Sequence, residues 1–261
     1  CSASMSNSHC ALSRLNLVGM QGGKLTSILA LLLALCIPES WAQSFGEVPQ
    51  SLAWDVSADA RNAALGGLDV APVQGDGWSM LVHPAAVDTA VPQNIYTSYL
   101  DYFAGIRGGA IAVPLESKSA RASYVGVRFA SYGDFEGITA DGVSTGTFSG
   151  GDYAVQYGTS WSIDTLWVVG ASTYAGLRNL EQVNAGVLGM DLGLVRRSRN
   201  GLGAIGLLVS NLGIQQDFSG IMPEGQLPAN VQLGWTQGFP NAPFTFHIRA
   251  QRLETWELAP E

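Results

Sequence analysis

Four groupings in this 261-residue chain hold residue types that can do chemistry, and each needs a particular scaffold around it. Gly142-Val143-Ser144-Thr145-Gly146 has the spacing of a hydrolase nucleophile elbow. That device lifts a serine on a strand-to-helix turn and needs a histidine as base. The residues that follow, Thr147-Phe148-Ser149-Gly150-Gly151, start a poor helix, and the downstream histidine, His247, stands in an alternating segment; a loop is the expected reading. Gly201-Leu202-Gly203-Ala204-Ile205-Gly206 has dinucleotide-fingerprint spacing. The fingerprint works only where a helix N-terminus faces the pyrophosphate. Here a charged turn precedes it and the strand-like Leu207-Leu208-Val209 follows, so small residues of a wall or hairpin are expected.

Metal and acid–base chemistry fare no better. After Ala42 the chain has two histidines, His83 and His247, and no cysteine. Metal centres need three or four ligands at short, recognisable spacings. His83, ahead of Pro84, is expected in a turn, and His247 on a polar face or at a loop mouth. Asp134 and Glu136 share one face of an alternating segment, as an acid–base pair could, but between Gly133 and Gly137 they read as a solvated rim. No Ser-x-x-Lys is present. The expectation is a protein that is not an enzyme, with no catalytic, cofactor-binding or metal-binding residue and no cofactor.

The elements that carry these residues are more informative. From about 94 to 252 the chain repeats one unit, an alternation of apolar with polar or glycine residues, then a turn. Val231, Leu233 and Trp235 alternate with Gln232, Gly234 and Thr236, and Phe244, Phe246 and Ile248 alternate with Thr245, His247 and Arg249. Side chains of a strand point to opposite faces with period two, so each segment builds one oily and one wet or small face. Strands are expected near 94–103, 106–115, 122–131, 151–160, 165–175, 185–196, 203–211, 229–237 and 243–252. Residues 132–150 and 212–228 are long connections, the first either a loop or a strand extension. Arg196-Arg197-Ser198-Arg199-Asn200-Gly201 is a tight turn whose Asn-Gly pair suits a hairpin. Apolar runs at Leu166-Trp167-Val168-Val169 and Leu207-Leu208-Val209 suggest strands covered on both faces, either by an N-terminal segment inside a barrel or by a second sheet of a soluble sandwich.

Composition agrees with a barrel. Charged residues make up 13%, about half the level usual in soluble domains, while the apolar residues are spread over alternate positions. Leu25 to Ile37 is one short apolar stretch after Lys24, and Ser40-Trp41-Ala42 follows it. This reads as a secretory signal cut after Ala42, too short for a membrane anchor. Cys36 is a weaker lipidation alternative, since its box lacks a small residue at Leu35. Residues before Met20 read as lying upstream of the natural start. The part after Ala42 keeps 11 of 13 basic and 20 of 21 acidic residues, a net charge of −9. That argues against a nucleic-acid partner. Residues 43–92 differ in texture, with a short helix expected over 57–67, capped by Ser57 and ended by Gly66-Gly67. Tyrosines and tryptophans such as Tyr96, Tyr99, Tyr124, Tyr132, Tyr153, Trp161, Trp167, Trp235 and Trp256 are expected at the water–lipid boundary. Nine strands is odd where bacterial barrels are even, and a missing C-terminal part is the expectation.

Several motifs, taken in order, resemble one family. They are Ala60-Arg61-Asn62-Ala63-Ala64-Leu65-Gly66-Gly67, then His83-Pro84-Ala85 where the family has Asn-Pro-Ala. Tyr132-Gly133-Asp134-Phe135, Gly146-Thr147-Phe148 and Asp152-Tyr153-Ala154 follow. Ser210-Asn211-Leu212-Gly213-Ile214-Gln215, Leu227-Pro228-Ala229, Leu233-Gly234 and Trp256-Glu257-Leu258 complete the series. Together they resemble the PorQ family of type IX secretion outer-membrane proteins, related to PorV and more distantly to FadL-like barrels. The resemblance implies an all-β, antiparallel FadL-like barrel, C-terminally incomplete, over 93–261, with a helical plug at 43–92. It implies an outer-membrane location in contact with lipid. It further implies a scaffold role beside PorZ, PorU and PorV-like proteins of the attachment complex. The alternative is a FadL-like transporter of apolar ligands.

Overall fold

The computed structural model describes residues 59–66, 69–73, 77–87, 91, 93–115, 120–139, 141–221 and 224–254. The expected signal segment, its Cys36 alternative, the Ser57 cap and the Trp256-Glu257-Leu258 motif lie outside these residues. Within them the chain is a single antiparallel sheet with little helix. Its strands are β1 (Tyr96–Asp101), β2 (Arg107–Pro114), β3 (Arg121–Ile138), β4 (Ser144–Ser162), β5 (Trp167–Leu180), β6 (Val183–Arg197), β7 (Gly203–Asp217), β8 (Gly225–Gln226), β9 (Asn230–Phe239) and β10 (Ala242–Ala250). Each strand pairs with the next in sequence, except that β9 joins β7 and the two-residue β8 lies off the path on β7. Among the described residues β1 and β10 are the two ends of the sheet and do not pair with each other.

Nine strands fall where alternation placed them, and two details differ. Of the two expectations for residues 132–150, the strand extension is the one found. These residues lengthen β3 and β4 into a hairpin closed by the Thr139 amide donating to the Val143 carbonyl at 2.9 Å, with Phe135 opposite Phe148 in register and the rings stacked at 5.3 Å. The glycines and polar residues that suggested a loop are tolerated because each strand satisfies the other's backbone. Residues 212–217 likewise continue β7, and β8 interrupts the second expected loop. The short helix α1 (Ala60–Ala64) is capped by Asp59, whose Oδ1 accepts from the amides of Arg61 and Asn62 at 2.7 and 3.0 Å. The cap is thus a carboxylate immediately ahead of the helix, two residues later than the expected Ser57.

The N-terminal segment lies against one face of the sheet. α2 (Ser79–Val82) and a 3-10 turn at Pro84–Ala86 carry it across the middle strands. Met80, Leu81, Val87 and Val91 cluster with Ala110, Ala112, Ala122 and Tyr124, and Ala71 and Ala85 cluster with Val168, Val195 and Ala204. The backbone approaches so closely because the strands present glycine there. A Cβ at Gly170 would overlap Pro84, one at Gly193 would overlap His83, and one at Gly206 would overlap the Val70 carbonyl. Gly170 pairs with Gly193, and Gly206 with Gly234, so the glycines of neighbouring strands line up into a shallow lane. Val168 and Leu208, the odd members of the two apolar runs, are buried on this face.

Candidate functional site

The two faces of the sheet carry opposite chemistry. On the open face stand Val155, Leu177, Leu188, Ile205, Leu233 and Phe246, each roughly 40 to 60% exposed. On the covered face of the same strands, Arg128, Asp152, Gln156, Ser172, Asp191 and Gln232 are buried. Burying a large apolar side chain is worth about 1.5–3 kcal/mol, and burying a polar one without partners costs a comparable amount. A sheet whose open face met water would gain by exchanging the two sets.

The buried polar groups are joined into a ladder across five strands. Gln156 Nε2 donates to the Tyr124 hydroxyl at 3.2 Å and to Ser172 Oγ at 3.1 Å. Ser172 Oγ donates to Asp191 Oδ2 at 3.1 Å, and the Asn211 amide donates to Asp191 Oδ1 at 3.0 Å. The Tyr174 hydroxyl donates to Asn211 Oδ1 at 3.0 Å. Asn211 reaches this position because β7 has a bulge opposite Asp191, and its backbone there is left-handed at φ 62°. Beside the ladder, Arg178 pairs with Asp152 at 3.2 Å, and Asp152 also accepts from the Tyr132 hydroxyl. Arg128 attracts Asp191 across the face and donates to the Leu81 carbonyl, which ties the ladder to the N-terminal segment.

His83 heads the 3-10 turn as expected, and is fully buried. Its Nδ1 accepts the Ala85 amide at 3.2 Å. Desolvation pulls its pKa down to about 4, which outweighs the opposite influence of backbone groups at Leu207 and His83. The ring is therefore neutral at physiological pH.

The other sequence candidates are dispersed. Ser144 opens β4 rather than preceding a helix. Gly201 sits in the β6–β7 turn at φ 67°, and Gly203 to Gly206 run on into β7, where Gly206 meets Val70. His247 lies on β10 with its Nδ1 3.0 Å from Thr236 Oγ1. Asp134 and Glu136 are exposed in the projecting hairpin. Among the described residues no three His, Cys, Asp or Glu side chains gather into a metal-binding group. Ser172 is held between the Asp191 carboxylate and the Gln156 side-chain amide, and its hydroxyl is committed in both directions.

The aromatic expectation divides. Tyr153, Trp161, Trp167 and Trp235 stand exposed on the open face. Tyr124 and Tyr174 turn to the covered face and are buried, Tyr96 meets Trp78 edge-on at 5.9 Å, and Tyr132 serves Asp152. Sequence reading missed the ladder, although its signal was present. Arg128, Gln156, Ser172 and Asp191 fall on the same phase of their strands as Gly126, Gly158, Gly170 and Gly193, the last two of which meet the N-terminal segment. No family model and no curated protein matches this chain.

Proposed function

We propose that the sheet is the wall of an outer-membrane β-barrel and that the chain is a non-enzymatic scaffold. The observation that carries this reading is the inversion of the faces, with apolar residues outward and polar or small residues toward the N-terminal segment. A lipid-facing wall has this arrangement. On β4 the open-face residues run from Tyr153 to Trp161. Eight steps rise about 27 Å along a strand, and a tilt near 40° turns that into about 21 Å of depth, most of the ~25 Å apolar band of such barrels. No helix among the described residues is long and apolar enough to cross a membrane. In this reading the crossing elements are the strands, and the N-terminal segment is the plug.

The resemblance to the PorQ family supports a role in holding partners of the type IX attachment complex at the cell surface. The projecting β3–β4 hairpin, with Phe135 and Ile138 exposed, is the favoured contact for such a partner. The test is envelope fractionation of cells expressing the full open reading frame, with crosslinking. A heat-modifiable outer-membrane band crosslinked to sortase-complex components supports the scaffold. A periplasmic, soluble protein that crosslinks to nothing overturns it.

A further inference from the structure

The two ends of the sheet differ in charge. The strand order places the start of β3 and the connections 163–166, 198–202 and 240–241 together at one end. That end carries Arg121, Arg196, Arg197 and Arg199, with Asp164 the acid there among the described residues. The opposite end, with the projecting hairpin, carries Asp101, Asp134, Glu136, Asp141, Glu181 and Glu224 together with Arg107, Arg178, Arg249 and Arg252. What sets the first end apart is that Arg196, Arg197 and Arg199 fall within four residues of one turn, with Arg121 at the start of β3, further along the same margin.

The arginines stand beside tryptophans at the margin of the apolar face. The Arg196 guanidinium lies 5.6 Å from the Trp167 ring centroid, and that of Arg121 lies 5.9 Å from Trp161. Next to Trp167 is an open hollow of about 560 Å³, lined by Leu166, Arg196, Arg197, Ser198, Arg199 and Asn200. Its rim is rigid. Ser198 Oγ accepts the Gly203 amide at 2.9 Å, Asn200 Oδ1 accepts the Leu202 amide at 3.1 Å, and the Arg197 amide donates to the Leu166 carbonyl at 2.8 Å. Asp164 is already engaged by the amides of Leu166 and Trp167 at 2.7 and 2.8 Å, which hold its carboxyl below the usual range. It offsets Arg196 in part and leaves the hollow basic.

We infer that this hollow binds the phosphate of an anionic phospholipid whose acyl chains lie on the neighbouring apolar face. The inference rests on the membrane reading above. Arginine supplies paired donors to phosphate oxygens, and tryptophan favours the depth at which headgroup meets acyl chain. A free anion would use the arginines alone. A lipid uses the arginines, the tryptophans and the apolar strip at once. The end bearing the hollow then faces the leaflet that holds phospholipid, and the acidic end faces outward.

The test is quenching of tryptophan fluorescence in the full-length protein, reconstituted in phosphatidylcholine vesicles containing brominated phosphatidylglycerol or brominated phosphatidylcholine. Wild type should prefer phosphatidylglycerol, and the Arg196→Gln/Arg199→Gln double variant should weaken that preference about tenfold. Arg107→Gln, at the opposite end, should leave it unchanged. A heat-modifiable band with equal quenching by both lipids overturns the lipid site and leaves the barrel standing. Loss of the preference in millimolar inorganic phosphate, but not in sodium chloride of equal ionic strength, overturns the lipid as the occupant. Absence of both the heat-modifiable band and quenching by either lipid overturns the membrane reading on which the inference rests.

Discussion

Val155 and Gln156 are chain neighbours in β4 and obey opposite rules. Val155 is 54% exposed, whereas Gln156 is 3% exposed and bonded to two strands. The same contrast separates Leu188 from Asp191 in β6 and Leu233 from Gln232 in β9. The difference teaches that this sheet is organised by what meets each face rather than by a single apolar interior. The covered face is held by backbone contact over glycine and by a hydrogen-bonded ladder. The open face contributes little to packing within the described chain. In the membrane reading proposed above, lipid covers it.

The largest effect should come from the covered face. Arg128→Met keeps most of the side-chain volume but removes the attraction to Asp191 and the bond to Leu81. Breaking a buried charged network in this way costs about 3–5 kcal/mol. Urea unfolding of the reconstituted protein, read by loss of the heat-modifiable band, should show it, together with faster proteolysis of residues 59–91. A variant that unfolds like wild type would remove the ladder from the account of stability.

The open face is tested by adding charge. Leu188→Arg should cost about 2–4 kcal/mol if its surroundings are hydrocarbon, and less than about 0.5 kcal/mol if they are water. The same unfolding assay decides between them. The small value would end the membrane interpretation, whatever the value for Arg128.

A third contrast is one of pH. His83 has a folded pKa of about 4 against an ordinary value of 6.5. Protonation therefore favours the undocked state. The stability is complete above about pH 6.5 and is lost as pH falls toward 4, about 3 kcal/mol in the limit and about 2 kcal/mol at pH 5. Protease sensitivity of the N-terminal segment should rise over that window. His83→Gln should flatten the rise and lower stability at pH 7. An unchanged pH profile in that variant would assign the acid response to other groups.

Much of the covered/open division was legible in the chain, because period-two alternation needs no partner to be read. Phe244, Phe246 and Ile248 lie on the open side of β10 as the pattern placed them, whereas the Leu207-Leu208-Val209 run misled, since Leu208 is buried under the N-terminal segment but Leu207 stands 37% exposed on the open face. What lies on the covered face was harder to read. Tyr124 and Tyr153 are the same residue type, and only the register and the docked segment decide that one is buried and the other exposed. The ladder joins residues 16 to 37 positions apart, and its last step depends on a bulge that no residue pattern announced. The lane for the N-terminal segment looked like a nucleotide motif at Gly201–Gly206, because close backbone approach and phosphate binding both ask for glycine.

The smallest expected effect tests that bulge. Asn211 has two tasks, a left-handed backbone at φ 62° that aims its amide at Asp191, and a side chain that accepts from Tyr174. Asn211→Gly keeps the first and loses the second, whereas Asn211→Ala loses the second and strains the first. The left-handed region costs a residue with a Cβ about 1 kcal/mol relative to glycine, and an ordinary hydrogen bond is worth about as much. Asn211→Gly should therefore cost about 1 kcal/mol and Asn211→Ala about 2 kcal/mol in the same unfolding assay. Equal losses would mean that β7 can straighten without its bulge. The ladder would then be held by side chains alone, and the contrast between the faces would owe nothing to backbone geometry at this point.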